Sequence, residues 1–179
     1  CAGLNQQFFN SFVFAKSTNA KNAGQTPSFT TINVNMGGSM ALGSSPNPGG
    51  LMGQAQAIAD PNNPQIIYYL CSVNPPGGDP MDVHIVRSTN GGASVGPPTR
   101  INDDTGNNWQ WFGTMSVAPN GRVDAMWNDT RGLGISSISQ AYYAYSLDGI
   151  NWSKNIPVST DFNSLFGWPN QNKLGDYYD

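Results

Sequence analysis

All eleven acidic residues of this chain are aspartates, and glutamate is absent from its 179 residues. A pair of carboxylates flanking a sugar linkage is sufficient for acid and base catalysis of its hydrolysis. Asp129 and Asp176 are the pair that we consider for this chemistry, because both lie near the ends of predicted strands. Mechanisms that need a glutamate cannot be completed by these residues alone.

Arg131 follows Asp129 by two positions, in a polar loop after an apolar run. A guanidinium there has two alternative roles: it holds an anionic ligand, or it pairs with Asp129 and braces the loop. We favour the brace and keep the ligand clamp as the alternative. The single histidine, His84, alternates with Asp82 and Val86 on one strand, and we interpret it as structural.

Clustered oxygen ligands suggest a cation as a further alternative. Asp103 and Asp104 stand in a loop that also contains several asparagines, and carboxylate and amide oxygens suit Ca²⁺. The spacing is not that of a helix-loop-helix calcium site. We therefore favour solvated turns, retain Asp103 and Asp104 as calcium candidates, and expect no other cofactor.

Aromatic side chains supply the best indication of binding. The candidates for contact with a ligand are Trp109, Trp111, Trp168 and Tyr178, and Tyr177 is kept as a catalytic candidate. Grouped rings suit sugar or protein surfaces. The alternative is that these rings pack between neighbouring sheets.

The composition favours an all-β protein with many tight turns. Charged residues make up 11% of the chain, against roughly 25% in average soluble domains. There are 21 glycines and 13 prolines. The net charge of −3 provides no basic face for nucleic acid. No apolar run approaches the roughly 20 residues of a membrane-spanning helix.

A turn motif recurs three times at the ends of β-rich segments: a serine, a spacer, Asn or Asp, then glycine. The copies begin at Ser17, Ser88 and Ser146. Alternating runs on both sides of Asn120-Gly121 predict a hairpin. Together these signals predict four-stranded antiparallel units of the kind that form the blades of a β-propeller.

The predicted propeller is divided along the chain into repeats. Residues 1–50 form a partial blade and loop, 51–105 and 106–160 form one blade each, and 161–179 start the next blade. This makes about two to three blades, and propellers close with four to eight. We expect the remaining blades in sequence beyond these residues or in another chain.

The turns resemble the Asp boxes, or BNR repeats, of bacterial secreted sialidase-like propellers, whose pattern is Ser-x-Asp-x-Gly-x-Thr-Trp. The matching residues are Ser88, Asn90 and Gly92 in one copy and Ser146, Asp148 and Trp152 in another. The segments RINDDTGNNWQWFGTMSVAPNGRVDAMWNDTR and GWPNQNKLGDYYD resemble the C-terminal part of such proteins. The resemblance implies that the Asp-box residues are structural and lie away from the central site.

The resemblance also implies what an active member would need: three arginines on the substrate carboxylate, a tyrosine activated by a glutamate, and an aspartate. The missing glutamate leaves this set incomplete. The leading hypothesis is a non-catalytic recognition or scaffold module that is secreted, periplasmic or on the cell surface and contacts a carbohydrate or protein surface. The alternative is a sialidase-like exo-glycosidase whose other catalytic residues lie outside this chain.

The two cysteines, Cys1 and Cys71, leave several alternatives open. A disulfide between them depends on geometry that the sequence does not give. Cys71 lies in an apolar run, so we favour a buried free thiol. Cys1 is also considered as the lipidated residue of a processed lipoprotein.

Overall fold

The computed structural model of this chain describes residues 12–40, 46–48, 52–167 and 169–175. These residues form eleven strands and no helix, so the prediction of an all-β protein is confirmed. Within the same ranges there is accordingly no helix able to cross a membrane. The strands are β1 (Phe12–Lys16), β2 (Thr30–Val34), β3 (Gln56–Ala59), β4 (Ile67–Val73), β5 (Asp82–Ser88), β6 (Thr99–Arg100), β7 (Gln110–Val117), β8 (Val123–Asp129), β9 (Ile138–Ser146), β10 (Ile156–Pro157) and β11 (Phe162–Asn163).

The strands form three antiparallel sheets in which neighbours follow chain order. The first sheet is β1 paired with β2, and the second is the meander β3-β4-β5-β6. The third sheet is the meander β7-β8-β9-β10, and β11 also pairs with β9. Short connections make this order the simplest one, since each strand turns back beside its predecessor.

The second sheet is packed between the other two. Successive side chains of a strand point to opposite faces, so β4 supplies both interfaces. Leu70 packs in a cluster with Val123 and Trp127 of the third sheet. Its neighbour Cys71 packs in a second cluster with Phe12 of the first sheet. The result is a stack of three sheets with two apolar layers between them.

A β-bulge interrupts β7 between Trp111 and Thr114, where this strand docks on the second sheet. Phe112 has a φ of 53°, in the left-handed region that few side chains other than glycine adopt. The N–H of Gly113 donates to Ser72 Oγ at 2.9 Å. A Cβ at position 113 would lie 3.0–3.1 Å from three side chains of the second sheet. Glycine therefore permits the close approach of β7.

The three repeated turns share one hydrogen-bond pattern. In each of them the serine hydroxyl donates to the side-chain oxygen of the Asn or Asp two positions later, at 3.0 Å in Ser17–Asn19, 3.0 Å in Ser88–Asn90 and 2.9 Å in Ser146–Asp148. The same Asx oxygen also accepts backbone N–H groups from further along the turn. This is the local bonding by which Asx residues stabilise turns.

The three turns lie at the same end of the stack, which we call the turn end. Lys16, beside the first turn, donates from Nζ to the carbonyl of Gly91 in the second. A Cβ added at Gly149 of the third turn would lie 2.2 Å from the ring of Tyr68, at the start of β4. The opposite end of the sheets carries the polar residues described next, and we call it the network end.

Candidate functional site

Asp129 occupies the last position of β8, opposite Gln110 at the start of β7. Its carboxylate is fully buried, and Gln110 Nε2 donates to Oδ1 at 3.1 Å. Trp127 Nε1 donates to Oδ2 at 2.9 Å. A buried carboxylate is retained only where such donors and a positive charge replace water.

Arg131 supplies that charge. Its Nε donates to Asp129 Oδ2 at 2.8 Å, and its backbone N–H donates to Asp129 Oδ1 at 2.8 Å. Nη1 donates to Asp103 Oδ1 at 2.5 Å, and Nη2 donates to Asn155 Oδ1 at 3.1 Å. The guanidinium carbon lies 4.4 Å from the centroid of the Tyr142 ring. Edges and face of the guanidinium are thus occupied by groups of this chain.

The pKa values of Arg131 and Asp103 move apart, as expected for an ion pair. Burial on its own would lower the pKa of Arg131, but its hydrogen bonds to Asp129 and Asp103 outweigh burial and raise it. Partial burial would raise the pKa of Asp103, but the hydrogen bond from Arg131 lowers it below its ordinary value. Both groups are therefore held in their charged forms.

A second group of hydrogen bonds, centred on Asn102, lies beside this pair. Asn102 Nδ2 donates to Asp82 Oδ1 at 2.6 Å, to Asp104 Oδ1 at 2.7 Å and to Gln110 Oε1 at 3.2 Å. Asn102 Oδ1 accepts the N–H of Val83 at 2.9 Å. Because Gln110 also donates to Asp129, the hydrogen bonds around Asn102 and those around Arg131 form one continuous network across the second and third sheets.

The carboxylate oxygens of Asp103 and Asp104 in this network already accept hydrogen bonds from other groups of the chain. Asp103 accepts bonds on both oxygens, from Arg131 and from the N–H of Asn155 at 3.1 Å. Asp104 does so from Asn102 and from Asn108 Nδ2 at 3.1 Å. Buried polar groups paired in this way rigidify a structure. The arrangement supports a role for Arg131 as a clasp between sheets.

The calcium candidates Asp103 and Asp104 belong to this network. Among the described residues, no group of three or more His, Cys or Asp side chains is placed to hold a metal ion. The oxygens of the two aspartates face N–H donors of the chain instead. Calcium binding here stays a prediction that would require these bonds to rearrange.

The two predicted aromatic candidates that the structure describes, Trp109 and Trp111, differ in burial. Trp111 is fully buried, and its Nε1 donates to Ser139 Oγ at 3.1 Å. Its ring contacts that of Phe112, with centroids 5.2 Å apart. Trp109 is partly buried against the same cluster. Of these two indoles, only Trp109 presents any surface to a ligand.

Four predicted site residues fall outside the described ranges. They are Trp168, Asp176, Tyr177 and Tyr178. The proposed pair of Asp129 and Asp176 therefore has no measurable separation.

The Asp-box residues lie at the turn end, remote along the strands from the network. Ser88 Oγ accepts the N–H of Gly92 at 2.9 Å, while Asn90 bonds within the same turn. Asp148 bonds within its own turn, and Trp152 packs against the core cluster between the second and third sheets. These contacts close turns and support the core.

His84 and Cys71 are buried between the first and second sheets. His84 Nδ1 lies 2.7 Å from the carbonyl oxygen of Met36, and burial lowers the pKa of its imidazole. Cys71 is a free, buried thiol whose pKa is raised by burial. Cys1 lies outside the described residues. His84 Nε2 lies 3.9 Å from Oδ2 of Asp82, so this ring borders the network, whereas Cys71 belongs to the apolar cluster between the first and second sheets.

One face of the third sheet is not packed against another sheet of the described residues, and we call it the open face. It bears a groove of about 370 Å³. The groove is lined mainly by Phe112, Asp124, Met126, Asn128, Tyr143 and Phe162. Tyr143 donates its hydroxyl to Asp124 Oδ1 at 2.5 Å. Its lining is mainly apolar and aromatic, with Asp124 and Asn128 among its polar groups.

Sequence reasoning missed two sets of residues. The network partners Gln110 and Asn155 are neutral side chains from separate segments, and no short motif marks them. The groove residues of β8 did leave a signal. Asp124, Met126 and Asn128 alternate with the core residues of the same strand, which identifies a second face.

Comparison with known proteins adds no relative. No family model matches the chain. A search of curated proteins also finds no match.

Proposed function

We propose that this chain is part of an extracytoplasmic β-propeller that acts as a non-catalytic recognition or scaffold module. Each four-stranded meander would be one blade, and the first sheet would be the outer half of a preceding blade. The two meanders support this assignment because they stack face to face and carry the same turn between their third and fourth strands. The Asp-box resemblance supports it too.

The occupied guanidinium of Arg131 is the observation that carries the non-catalytic proposal. Its donors are directed at Asp129, Asp103 and Asn155. A carboxylate ligand would have to compete with Asp103, which is partly exposed, or displace the buried Asp129. Leaving Asp129 unpaired would cost about 3–5 kcal/mol. Recognition through other side chains avoids that cost.

The network end offers such side chains for a carbohydrate or protein surface. Ile135 lies in the β8–β9 loop and is 61% exposed, and Phe166 follows β11 and is 81% exposed. Trp109 precedes β7 at the same end. Exposed apolar groups on loops at one end of a rigid scaffold are typical of a contact surface.

Saturation-transfer NMR with a panel of neutral and sialylated oligosaccharides tests the proposal. We expect transfer to one class of sugar, with loss of the signal in an Ile135→Ser, Phe166→Ser double variant. Leu147→Ser, at the turn end, is the matched control because Leu147 is equally apolar and 75% exposed. Equal signals from both variants would remove the network end as the binding surface.

A turnover assay distinguishes the non-catalytic proposal from the alternative, a sialidase-like exo-glycosidase. A fluorogenic sialic acid glycoside should remain intact in the presence of the purified chain. Hydrolysis that is lost in a folded Arg131→Lys variant would overturn the non-catalytic proposal and favour the sialidase-like glycosidase.

A further inference from the structure

The four arginines of this chain differ in whether a carboxylate balances their charge. Arg100, Arg122 and Arg131 each form an ion pair with at least one aspartate. Arg87 forms no ion pair with any residue that the structure describes. A guanidinium stays protonated in proteins. Arg87 therefore carries a positive charge for which the described part of the chain supplies no counter-ion.

Arg87 lies near the end of β5, one position before the second repeated turn. It alternates with Ile85, a member of the core cluster between the second and third sheets, so its side chain points toward the third sheet. Tyr68 is its partner on β4. Burial raises the pKa of Tyr68, and the nearby charge of Arg87 acts against this rise. Arg87 Nε is covered and has no acceptor among the described residues, while the side chain as a whole is only partly buried.

Arg87 lines a crevice of about 420 Å³ at the turn end, between the second and third repeated turns. We call it the turn crevice. Pockets for small molecules have volumes of roughly 300–1,000 Å³ and combine apolar walls with a few polar groups. The turn crevice has this composition: besides Arg87 it is lined by the apolar residues Val95, Pro97 and Ile150 and by the hydroxyl-bearing residues Thr89 and Thr99.

Neither of the two flanking turns neutralises Arg87. Asp148 of the third turn accepts the N–H groups of Ile150 and Asn151 on Oδ1, at 2.9 and 2.8 Å. Its Oδ2 accepts Asn151 Nδ2 at 2.7 Å, so both carboxylate oxygens are used within that turn. The corresponding residue of the second turn is Asn90, a neutral amide. The charge in the turn crevice is thus available to a ligand.

The chemistry of the crevice indicates the kind of ligand. The parallel N–H donors of a guanidinium match the two oxygens of a carboxylate. Ile150, on the wall formed by the third turn, is 54% exposed, and covering such a side chain with an apolar group is favourable. A ligand that combines a carboxylate with a small apolar body would satisfy both features.

We propose that the turn crevice is a binding site for a small organic carboxylate, which pairs with Arg87 and lays its apolar body against Ile150 and Val95. The site lies at the opposite end of the stack from the surface proposed for a carbohydrate or protein partner. It goes beyond that function and depends neither on the ligand of the network end nor on closure of a propeller.

Titration of the full, ¹⁵N-labelled chain with benzoate tests the site by NMR, and benzamide serves as the neutral isostere. We expect benzoate to shift the backbone amide signals of Gly96 and Gly149, two residues of the lining, until they saturate. Benzamide should bind at least about tenfold more weakly, because it cannot form the charged hydrogen bonds. Arg87→Gln should weaken benzoate binding by a similar factor, whereas Arg122→Gln, in an exposed ion pair, should leave it unchanged.

A substitution on the opposite wall tests the same site without altering the second sheet. Ile150→Asp places a carboxylate in the crevice, where it should pair with Arg87 and abolish benzoate binding. Leu147→Asp is the matched control, because it adds the same charge to the same turn at a residue that is 75% exposed and does not line the crevice. Benzoate binding to this control should equal that of the parent.

Several results would overturn the proposal. They are the lack of a saturable shift with benzoate, equal binding of benzoate and benzamide, and binding that persists in both Arg87→Gln and Ile150→Asp. Inorganic phosphate that binds as tightly as benzoate would overturn the assignment to an organic carboxylate. A chain that binds benzoate in the turn crevice but no sugar would contradict only the ligand proposed for the network end.

Discussion

Arg131 and Asp103 form an ion pair that joins the third sheet to the segment leaving the second, with Nη1 and Oδ1 2.5 Å apart. They are 28 positions apart in the chain. The same guanidinium holds the buried Asp129, so one side chain fixes the β8–β9 loop, the β6–β7 connection and the end of β8.

Removing the guanidinium should destabilise the whole stack. We expect Arg131→Ala to lower the free energy of unfolding by about 3–5 kcal/mol, because it leaves Asp129 buried and unpaired. Urea denaturation followed by tryptophan fluorescence measures this. Arg122→Ala is the matched control: its pair with Asp124 is solvent-exposed, and we expect no measurable change. Equal effects of the two substitutions would contradict the clasp.

The close approach at Gly113 gives a second prediction. A methyl group there would meet Leu70, Ser72 and Val83 at 3.0–3.1 Å, so Gly113→Ala should destabilise by about 1–3 kcal/mol through overpacking. At Gly96 the added Cβ would have an ordinary contact of 3.5 Å with the Arg87 carbonyl. Gly96→Ala should therefore be tolerated, and a larger loss there than at 113 would refute the packing argument. Thermal unfolding by circular dichroism compares the two.

The left-handed backbone at Phe112 should invert the usual ranking of alanine and glycine. Phe112→Ala and Phe112→Gly both empty the same buried site, at a cost of about 3–5 kcal/mol. Glycine also relieves the positive φ, so we expect Phe112→Gly to be more stable than Phe112→Ala by about 1 kcal/mol. Met115, in the same strand without a positive φ, should show the opposite ranking. Denaturation midpoints of the four variants provide the check.

Asp148 should make stability depend on pH in acid. Backbone N–H groups of Asn151 and Ile150 lower the pKa of Asp148 below its ordinary value. Its stabilising effect is complete above the unfolded pKa of about 3.9 and is lost as pH falls toward the folded pKa, since the unfolded chain binds the proton first. The free energy of unfolding of Asp148→Asn should therefore fall less steeply below pH ~5 than that of the parent.

The second turn supplies the reciprocal test. Asn90 occupies the position of Asp148 and accepts the N–H of Ser94 in the same manner. Asn90→Asp should steepen the loss of stability over the same acidic range. The free energy of unfolding is measured against pH for the parent, Asp148→Asn and Asn90→Asp. If the three plots stay parallel from pH 7 to the acid limit, the turn carboxylate is not the cause of the acid sensitivity.

The strands were predictable because their information is local. Alternation and turn residues predicted the hairpin at Asn120-Gly121, where Gly121 has a φ of +83°, and the four-stranded order of each unit. The all-β assignment is confirmed. The propeller remains a proposal, because the described residues establish three antiparallel sheets and not a closed ring of blades.

The site was less predictable because its contacts are not local. The sequence suggested that Arg131 braces Asp129, and the two are in contact, but the partners Asp103 and Asn155 come from distant segments. The bulge at Phe112 also left no pattern. It brings adjacent rings, Trp111 and Phe112, into one cluster where a regular strand would separate them.

The two ends of the stack should differ in when they form during folding. Bonds within the repeated turns span two to nine residues, whereas the Asp103–Asn155 bond spans 52. Short loops close at a small entropic cost and long ones close late. Substitutions in the turns should therefore slow refolding, while those in the Arg131 clasp should mainly accelerate unfolding. The lifetime of the folded state is thus controlled from the network end, opposite to the repeated turns.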